Sequence, residues 1–490
     1  MSEEKKESLI QPEIEQMQTE ESPKEKEFRE GKKKYILKGI SSVISCIIHT
    51  CGFFSIWTIG NSVVYLISFR RHFNNKLSFS FGYFLFPIMN FTISLTSPIG
   101  GFIEDKIGGK KTIFLSSLII TIAFSMIYLS RNIFLDYILM SLNGFGMAIG
   151  LNITRKNACS YFMNKKALIC GIAGLIPGFY SAGLAIFYEK YVLNPNSENP
   201  TIDNVYYDER IFLNFQKLII YEIGINFLVC LFTIIFYFQN DPKETLKYGF
   251  EEKEILIEVE HKNKPDEIIE ITDKSEKKEI IKEIKKVPKQ IKIQRALKNK
   301  RAVKLFLMIF LFFPTINFVI NTWRPIGIYY KLKTSYLQII GALFSIIGCI
   351  TSIIFALIGD RFSFRILFCL FAFFLTISSF TFQLSFHNEI FFICQIMISS
   401  FALNGFNIII DPHMMTVYGM ENYIEIGGVI KSSSGFAEMF SVIFAFYLEN
   451  NFTGNKDSVY KLMYVISGVF ASISFVLGLF EEDDKFLYDD

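Results

Sequence analysis

Twelve long apolar stretches constrain the fold of this chain more than any other feature of its sequence. Each has about 20 residues or more, the length that an α-helix needs to cross the hydrocarbon core of a bilayer. Because backbone hydrogen bonds in lipid must close within each segment, these stretches predict membrane-spanning helices. The predicted spans are 40–67, 78–103, 111–130, 133–154, 168–188, 215–238, 303–328, 336–358, 365–385, 389–411, 426–447 and 459–480.

Charged residues lie mainly between and beyond these stretches. The chain is 51% hydrophobic and 16% aromatic, which exceeds what a soluble core needs, so the net charge of +3 gives no argument for nucleic-acid binding. The lipid bilayer is the expected environment. The predicted divisions are a polar cytosolic tail (1–38), a six-helix bundle (39–238), a charged cytosolic linker (239–302), a second six-helix bundle (303–480) and an acidic cytosolic tail (481–490).

The distribution of lysine and arginine predicts an orientation. Loops on the same side of the membrane as the N-terminus carry more of these cations than loops on the opposite side. Both termini are therefore expected in the cytosol. The chain would then be a multi-pass protein of the plasma membrane or of an organelle membrane. Its eight cysteines show no metal-ligand spacing, and Cys159 is expected in a cytosolic loop.

Enzyme activity finds no support in the motifs. The sequence contains no phosphate-binding glycine-rich loop, zinc-ligand spacing or nucleophile elbow. We therefore predict a non-enzyme that needs no cofactor or metal, and whose partner is a small molecule.

One loop occurs twice, at equivalent places in the two predicted halves. Residues 101–111 read GFIEDKIGGKK between spans two and three. Residues 356–365 repeat its central pair of an aspartate and a cation between spans eight and nine. Glycines let the chain turn sharply, and the cations mark the point where helices leave the bilayer. An internal repeat of this kind is typical of secondary transporters.

The first copy resembles the signature loop of the major facilitator superfamily. The resemblance implies an all-α membrane protein with twelve transmembrane helices in two six-helix halves, which transports by alternating access. It also implies that the loop residues form a cytosolic gate between the halves. The gating candidates are Gly101, Asp105, Lys106, Gly108, Lys110, Lys111 and, in the partial copy, Asp360 and Arg361. Because the copy carries Ala356 and Ser363 in place of the glycines, we expect the gate to depend mainly on the first half.

A second motif enters predicted helix five and resembles the monocarboxylate transporter and oxalate/formate antiporter branch. It consists of an aromatic pair, a cation pair and a small residue, namely Tyr161, Phe162, Lys165, Lys166 and Gly171. The resemblance implies a small organic anion such as pyruvate or lactate as substrate, with a proton as the candidate co-transported ion.

The chain also departs from that branch. Residues 51–57 lack the acid that usually precedes this stretch of helix one, and residues 336–358 lack the usual arginine of helix eight. These departures favour an alternative, a carrier of a neutral or zwitterionic solute such as an amino acid or sugar. A non-transporting membrane sensor is the third hypothesis.

Charged residues inside the predicted spans are candidate site residues, because charge is costly in lipid. Lys431 lies where the oxalate/formate branch often has a substrate-binding lysine, and Ser434 follows one turn later. Glu438 shares their helical face and is a candidate proton-coupling group, as is His49 in span one. The alternatives are that Lys431 extends to the interface, that Glu438 bonds a neighbouring helix and that His49 is packed and neutral.

Predicted helix seven supplies three more candidates. Arg324 is a possible second carboxylate ligand or an anchor beside Trp323, and Asn321 and Asn317 lie below it, one turn apart. The triplet 411–413 is expected to end helix ten at the cytosol, with no role in transport.

Overall fold

The structure is a computed structural model that describes residues 23–74, 77, 79–193, 209–248, 298–330, 332, 334–451 and 456–482. Most of the predicted linker and the ends of both predicted tails lie outside the described residues, so the predicted domain limits remain predictions.

Within these ranges the chain is helical, has no strand, and has twelve helices long and apolar enough to cross a membrane. The predicted fold class is therefore confirmed. The helices are α1 (Pro23–Arg71), α2 (Leu85–Ile107), α3 (Gly109–Leu129), α4 (Ile133–Tyr161), α5 (Lys166–Phe187), α6 (Glu209–Phe236), α7 (Lys300–Tyr329), α8 (Thr334–Ile358), α9 (Phe364–Thr381), α10 (Glu389–Val417), α11 (Gly428–Asn451) and α12 (Lys456–Leu479).

Helices α4 and α10 are among those that run further than the sequence predicts. Helix α10 continues through Pro412 to Val417, so the prediction that residues 411–413 end it is wrong. A proline within a membrane helix is tolerated where the freed backbone groups find other partners. Helix α4 continues to Tyr161, and Cys159 is buried inside it rather than exposed in a loop. Both extensions bring charged residues into the bundle.

Small residues bring the two halves together along two pairs of helices, α2 with α11 and α5 with α8. We call these two lines of contact between the halves the seams. A Cβ at Gly428 of α11 would lie 2.9 Å from the backbone nitrogen of Pro98 in α2. On the other seam, a Cβ at Gly171 of α5 would overlap the Cβ of Ala356 in α8. Helix backbones at both seams therefore approach more closely than larger side chains would allow.

The two ends of the bundle differ in charge, and we name them accordingly. The basic end carries Lys38, residues 104–111, residues 155–166 and residues 359–365, whereas the opposite end carries residues 70–74, 130–133, 382–389 and 456–461. A short helix, Pro242–Tyr248, follows α6 at the basic end. It is tied to α1 by an ion pair between Lys38 and Glu244 with an N···O distance of 2.8 Å.

Candidate functional site

A buried carboxylate, Asp411 of α10, joins three helices and both halves near the basic end. Its side chain is fully buried and is ion-paired with Lys431 of α11 and with Arg155 of α4. The Tyr423 hydroxyl, in the π-helical turn before α11, donates a hydrogen bond of 2.7 Å to Oδ1. Because Arg155 belongs to the first half, this set of four residues, the Asp411 cluster, forms a polar bridge across the seam.

The charges of the Asp411 cluster do not cancel. Two cations share one carboxylate, which leaves one excess positive charge in a setting where unpaired charge is costly. The Lys431 side chain is 23% exposed and that of Arg155 is 14% exposed, so water or a solute can reach both. Lys431 Nζ also lies 5.7 Å from the centre of the Tyr423 ring. The arrangement is suited to an additional anion.

The candidate residues of α11 line the side of the helix that faces the first half. Beyond Lys431, Ser434 Oγ lies 3.3 Å from Ser94 Oγ of α2. One turn further, the Asn90 amide of α2 donates a 3.2 Å hydrogen bond to Glu438. Lys431 and Glu438 therefore have different partners, and Glu438 makes the interhelical hydrogen bond that was one of its two expected roles.

The candidates on α7 lie apart from the Asp411 cluster in their described contacts. Asn317 is buried, and its Nδ2 has no hydrogen-bond partner among the described residues. Asn321 is half-buried, while the side chain of Arg324 lies outside what the structure describes. Asn317 thus has an unused donor, and the ligand role of all three remains a prediction.

His49 lies inside the first bundle rather than at the seam. It is 4% exposed and packs directly against Gly150 of α4. The small surrounding pocket is lined by residues of the first half alone, among them Met147 and Asn226. This position fits a packed histidine, and a role in proton coupling stays untested.

The acidic residues of the two copies of the repeated loop make different contacts. In the partial copy, Asp360 accepts hydrogen bonds from the backbone N–H groups of Ala167 (2.9 Å) and Leu168 (3.3 Å), at the start of α5 in the other half. In the first copy, Asp105 is exposed and makes no hydrogen bond among the described side chains, whereas Glu104 pairs with Lys156 of the same half at 3.0 Å.

The expectation that the gate depends mainly on the first copy stays a prediction, and the contact of Asp360 with α5 bears on it. A carboxylate at a helix N-terminus satisfies N–H groups that have no partner within the helix and meets the positive end of the helix dipole. Only the second copy places its aspartate in this position. The first copy contributes by packing, because a Cβ at Gly101 would lie 3.0 Å from Glu425 Cγ in the turn before α11.

The remaining gating candidates are mostly solvated. Gly108 has a φ of 82°, which favours glycine, and it separates α2 from α3. The cations of both copies are exposed at the basic end. These residues are Lys106, Lys110, Lys111 and Arg361.

The motif predicted to enter helix five spans two helices. Tyr161 ends α4, Phe162 lies between the helices, and Lys166 begins α5. Lys165 is exposed in the connecting turn. Gly171, further along α5, lies at the seam with α8, so the small residue of the motif serves contact between the halves.

Sequence reasoning missed three members of the Asp411 cluster as well as a buried acid of α6. Asp411 and Arg155 were placed at helix ends, and Tyr423 carried no signal by itself. Glu222 is 2% exposed within α6, and its backbone carbonyl accepts a 2.9 Å hydrogen bond from Asn226. An acid inside an apolar stretch was a usable signal for Glu222.

Comparisons with known proteins agree with this architecture. The family model of the Major Facilitator Superfamily matches residues 215–442. No sequence among curated proteins matches the chain. The structure resembles the proton:xylose symporter XylE bound to 6-bromo-6-deoxy-D-glucose, with 13% identity, a TM-score of 0.62, and coverage of 92% of this chain and 96% of that one. A double-tryptophan variant of XylE gives 11% identity, a TM-score of 0.62, and coverage of 93% and 98%. The chain therefore has the major facilitator fold.

Proposed function

We propose that this protein is a secondary transporter that works by alternating access, with its basic end in the cytosol. The fold and the family match over residues 215–442 support transport. Polar contacts between the halves at the basic end supply a gate that two bundles could open by rocking. A sensor without transport would need no such separable seam.

The substrate we propose is a small organic anion, with monocarboxylates such as pyruvate and lactate first. The observation that carries this proposal is the excess positive charge of the Asp411 cluster, part of which is exposed at Lys431. A substrate carboxylate would compete with Asp411 for Lys431, and the hydroxyl of Ser434 lies one turn further along the helix. Substrate binding would then disturb the carboxylate that also holds Arg155, which links binding to the gate.

Glu438 is the proposed proton-coupling group. It is buried near the middle of α11 and has a neutral partner, Asn90, rather than a cation. Without a cation to stabilise the charged form, a buried carboxyl group can exchange a proton as its surroundings change. We expect Glu438→Gln to abolish acceleration of uptake by a pH gradient while preserving exchange of substrate at equal pH.

The direct test is uptake of labelled pyruvate into vesicles that contain the purified full chain. We expect Lys431→Ala to lower uptake at least tenfold, as loss of a charged hydrogen bond of about 1.5 kcal/mol or more implies. Lys34→Ala is the matched control, because Lys34 is an exposed cation of α1, one turn before Lys38, and is not a candidate for binding or gating. Equal uptake by wild type and Lys431→Ala would exclude Lys431 as a ligand. Absence of uptake for every carboxylate tested would exclude the substrate class.

A neutral or zwitterionic solute is the second candidate. Asp411 already neutralises part of the charge of Lys431, and α8 carries no arginine. XylE, which has the same fold, is described as a proton:xylose symporter, although its identity to this chain is only 13%. Competition for one labelled substrate by panels of carboxylates, amino acids and sugars separates the two candidates.

A further inference from the structure

A second polar pocket lies at the basic end, between the two halves and outside the Asp411 cluster. Its volume is about 290 Å³. The first half contributes the turn between α4 and α5, including Asn164 and Lys166. The second half contributes the turn between α8 and α9 and the end of α10, including Arg361 and Thr416. Any molecule bound here would touch both halves.

The charge balance of this pocket favours an anion. Its lining contains two cations, Lys166 and Arg361, one from each half, and a single acid, Asp360. The two carboxylate oxygens of Asp360 already accept the N–H groups at the start of α5. One net positive charge remains, on two long side chains that approach the pocket from opposite sides of the seam.

The start of α9 adds uncharged donors. Ser363 is the N-cap residue, with extended backbone (φ −65°, ψ 147°), but its side chain makes no capping bond. Its Oγ is buried and has no hydrogen-bond partner among the described residues. The pocket is therefore bordered by a spare hydroxyl and by the positive end of an 18-residue helix. The His413 ring, stacked on Phe364 at 4.0 Å, forms a flat wall.

We propose that this pocket binds a phosphate group and that the bound phosphate holds the basic end closed. A phosphate has enough oxygens to accept from Lys166, from the Arg361 fork and from Ser363 at once, whereas a carboxylate has only two. The group could come from an anionic lipid headgroup or from a soluble phosphate compound. Because Lys166 belongs to the first half and Arg361 and Ser363 to the second, the phosphate favours the closed state by the part of its binding energy that the contact with the first half contributes.

The test measures binding by the full-length protein without any transport step. The purified chain is placed in phosphatidylcholine nanodiscs, and its Tm is followed during titration with inorganic phosphate, with chloride at matched ionic strength as reference. A second set of nanodiscs contains phosphatidylglycerol in place of part of the phosphatidylcholine. We expect Tm to rise with phosphate, with phosphatidylglycerol or with both, and not with chloride.

Variants of the lining residues show whether the rise in Tm comes from binding in this pocket. We expect Lys166→Gln and Arg361→Gln each to weaken the apparent phosphate affinity, or the lipid-induced shift of Tm, by about tenfold. Lys34→Gln is the control because it removes an exposed cation of the same end that lies outside the pocket and outside the gating candidates. Ser363→Ala, which keeps every charge, should cause a smaller loss and serves if the charge variants fold poorly.

Each outcome is decisive. A shift with soluble phosphate supports the pocket with a soluble ligand, and a shift with phosphatidylglycerol alone supports it with a lipid headgroup, provided that the pocket variants reduce the shift. An equal shift with chloride, no shift at all, or equal losses in Lys34→Gln and Arg361→Gln would overturn the proposal. The result is independent of pyruvate uptake, so the proposal can fail while the proposed transport function stands.

Discussion

At the basic end polar side chains of one half bond to the other half, whereas at the opposite end the described ion pairs stay within a half. Arg155 pairs with Asp411 across the seam, and Asp360 bonds the start of α5. At the opposite end, Arg70 of α1 pairs with Asp136 of α4, and both belong to the first bundle. The same kinds of groups therefore join the two halves at one end and hold the helices of one bundle together at the other.

The Arg70–Asp136 pair is buried and held by several hydrogen bonds, so we expect it to stay intact when the halves move. Both side chains are at most 1% exposed, and Nε and Nη2 of Arg70 donate to the two carboxylate oxygens at 2.6 and 2.7 Å. Nη2 also donates to the carbonyl of Ile127 at 2.9 Å. In the second bundle, the Tyr330 hydroxyl donates a single hydrogen bond to Asp457 at the same end. Each of these contacts joins helices of one bundle.

Contacts between the halves at the opposite end are of another kind. The ring of Phe84, just before α2, meets that of Phe446 in α11 edge-on, with centroids 5.5 Å apart. Aromatic contacts tolerate sliding better than bidentate ion pairs, because they lack fixed donors and acceptors. With the rocking that we propose, specific polar bonds at the basic end would be exchanged for less directional contacts at the other.

The largest effect is expected from Asp136→Asn. Removing the charge leaves Arg70 buried without its partner, which costs about 3–5 kcal/mol of stability. We expect a much lower Tm in detergent but an unchanged preference for closure of the basic end. Spin labels at Lys110 and Phe480, both exposed at that end, measure closure through their separation. A change in separation without a fall in Tm would contradict the assignment of this pair to the first bundle.

In contrast to Asp136→Asn, Asp411→Asn should weaken closure of the basic end. It leaves two cations facing each other across the seam, and a bias of about 3 kcal/mol shifts the equilibrium toward opening roughly a hundredfold. The same spin labels should move apart, while labels at Arg131 and Leu384, exposed at the opposite end, should approach each other. Unchanged distances at both ends would show that the Asp411 cluster does not hold the gate.

Gly171→Ala tests whether close packing contributes to the gate. The added methyl group would overlap Ala356, and overpacking of this kind costs about 1–3 kcal/mol. We expect partial opening of the basic end in the same spin-label measurement. Gly183→Ala is the matched control on the same helix, since a Cβ there meets nothing within 4 Å. Equal spin-label separations in the two variants would show that close packing at Gly171 does not contribute to the gate.

Asp360→Asn should have the smallest effect. The amide keeps one acceptor oxygen for α5 but loses the charge at the helix N-terminus, a change of about 1 kcal/mol. We expect a modest rise in the open population, and no change for Asp105→Asn. The reverse order of the two variants would restore the first copy of the loop as the main polar contact of the gate.

Sequence could predict the helices because hydropathy is a local property. Helix α8 was expected at 336–358 and is found at Thr334–Ile358. Lys431 could likewise be recognised as a charge inside an apolar stretch. Its partner could not, because Pro412 suggested that the helix stopped beside Asp411. A helix continues past a proline when neighbouring helices pack around it, and this is decided by tertiary structure.

Contacts across the seam were beyond sequence reasoning for a different reason. Arg155 and Asp411 are 256 positions apart, and neither residue type specifies the other. Comparison of the two loop copies weighs glycines that shape a turn, and it gives no sign that Asp360 bonds the start of α5. Which aspartate reaches a helix start depends on how the two bundles are placed, and a motif does not encode that placement.

The bond between Asp360 and α5 has a consequence for how the protein can be observed. The backbone N–H groups of Ala167 and Leu168 donate to a side chain of the other half, so we expect their solvent exchange to depend on the contact between the halves. Each excursion to an open basic end would expose them to deuterium while the rest of α5 stays protected. Mass spectrometry of this one peptide would then count gate openings in the unmodified protein, in native lipid and without any label.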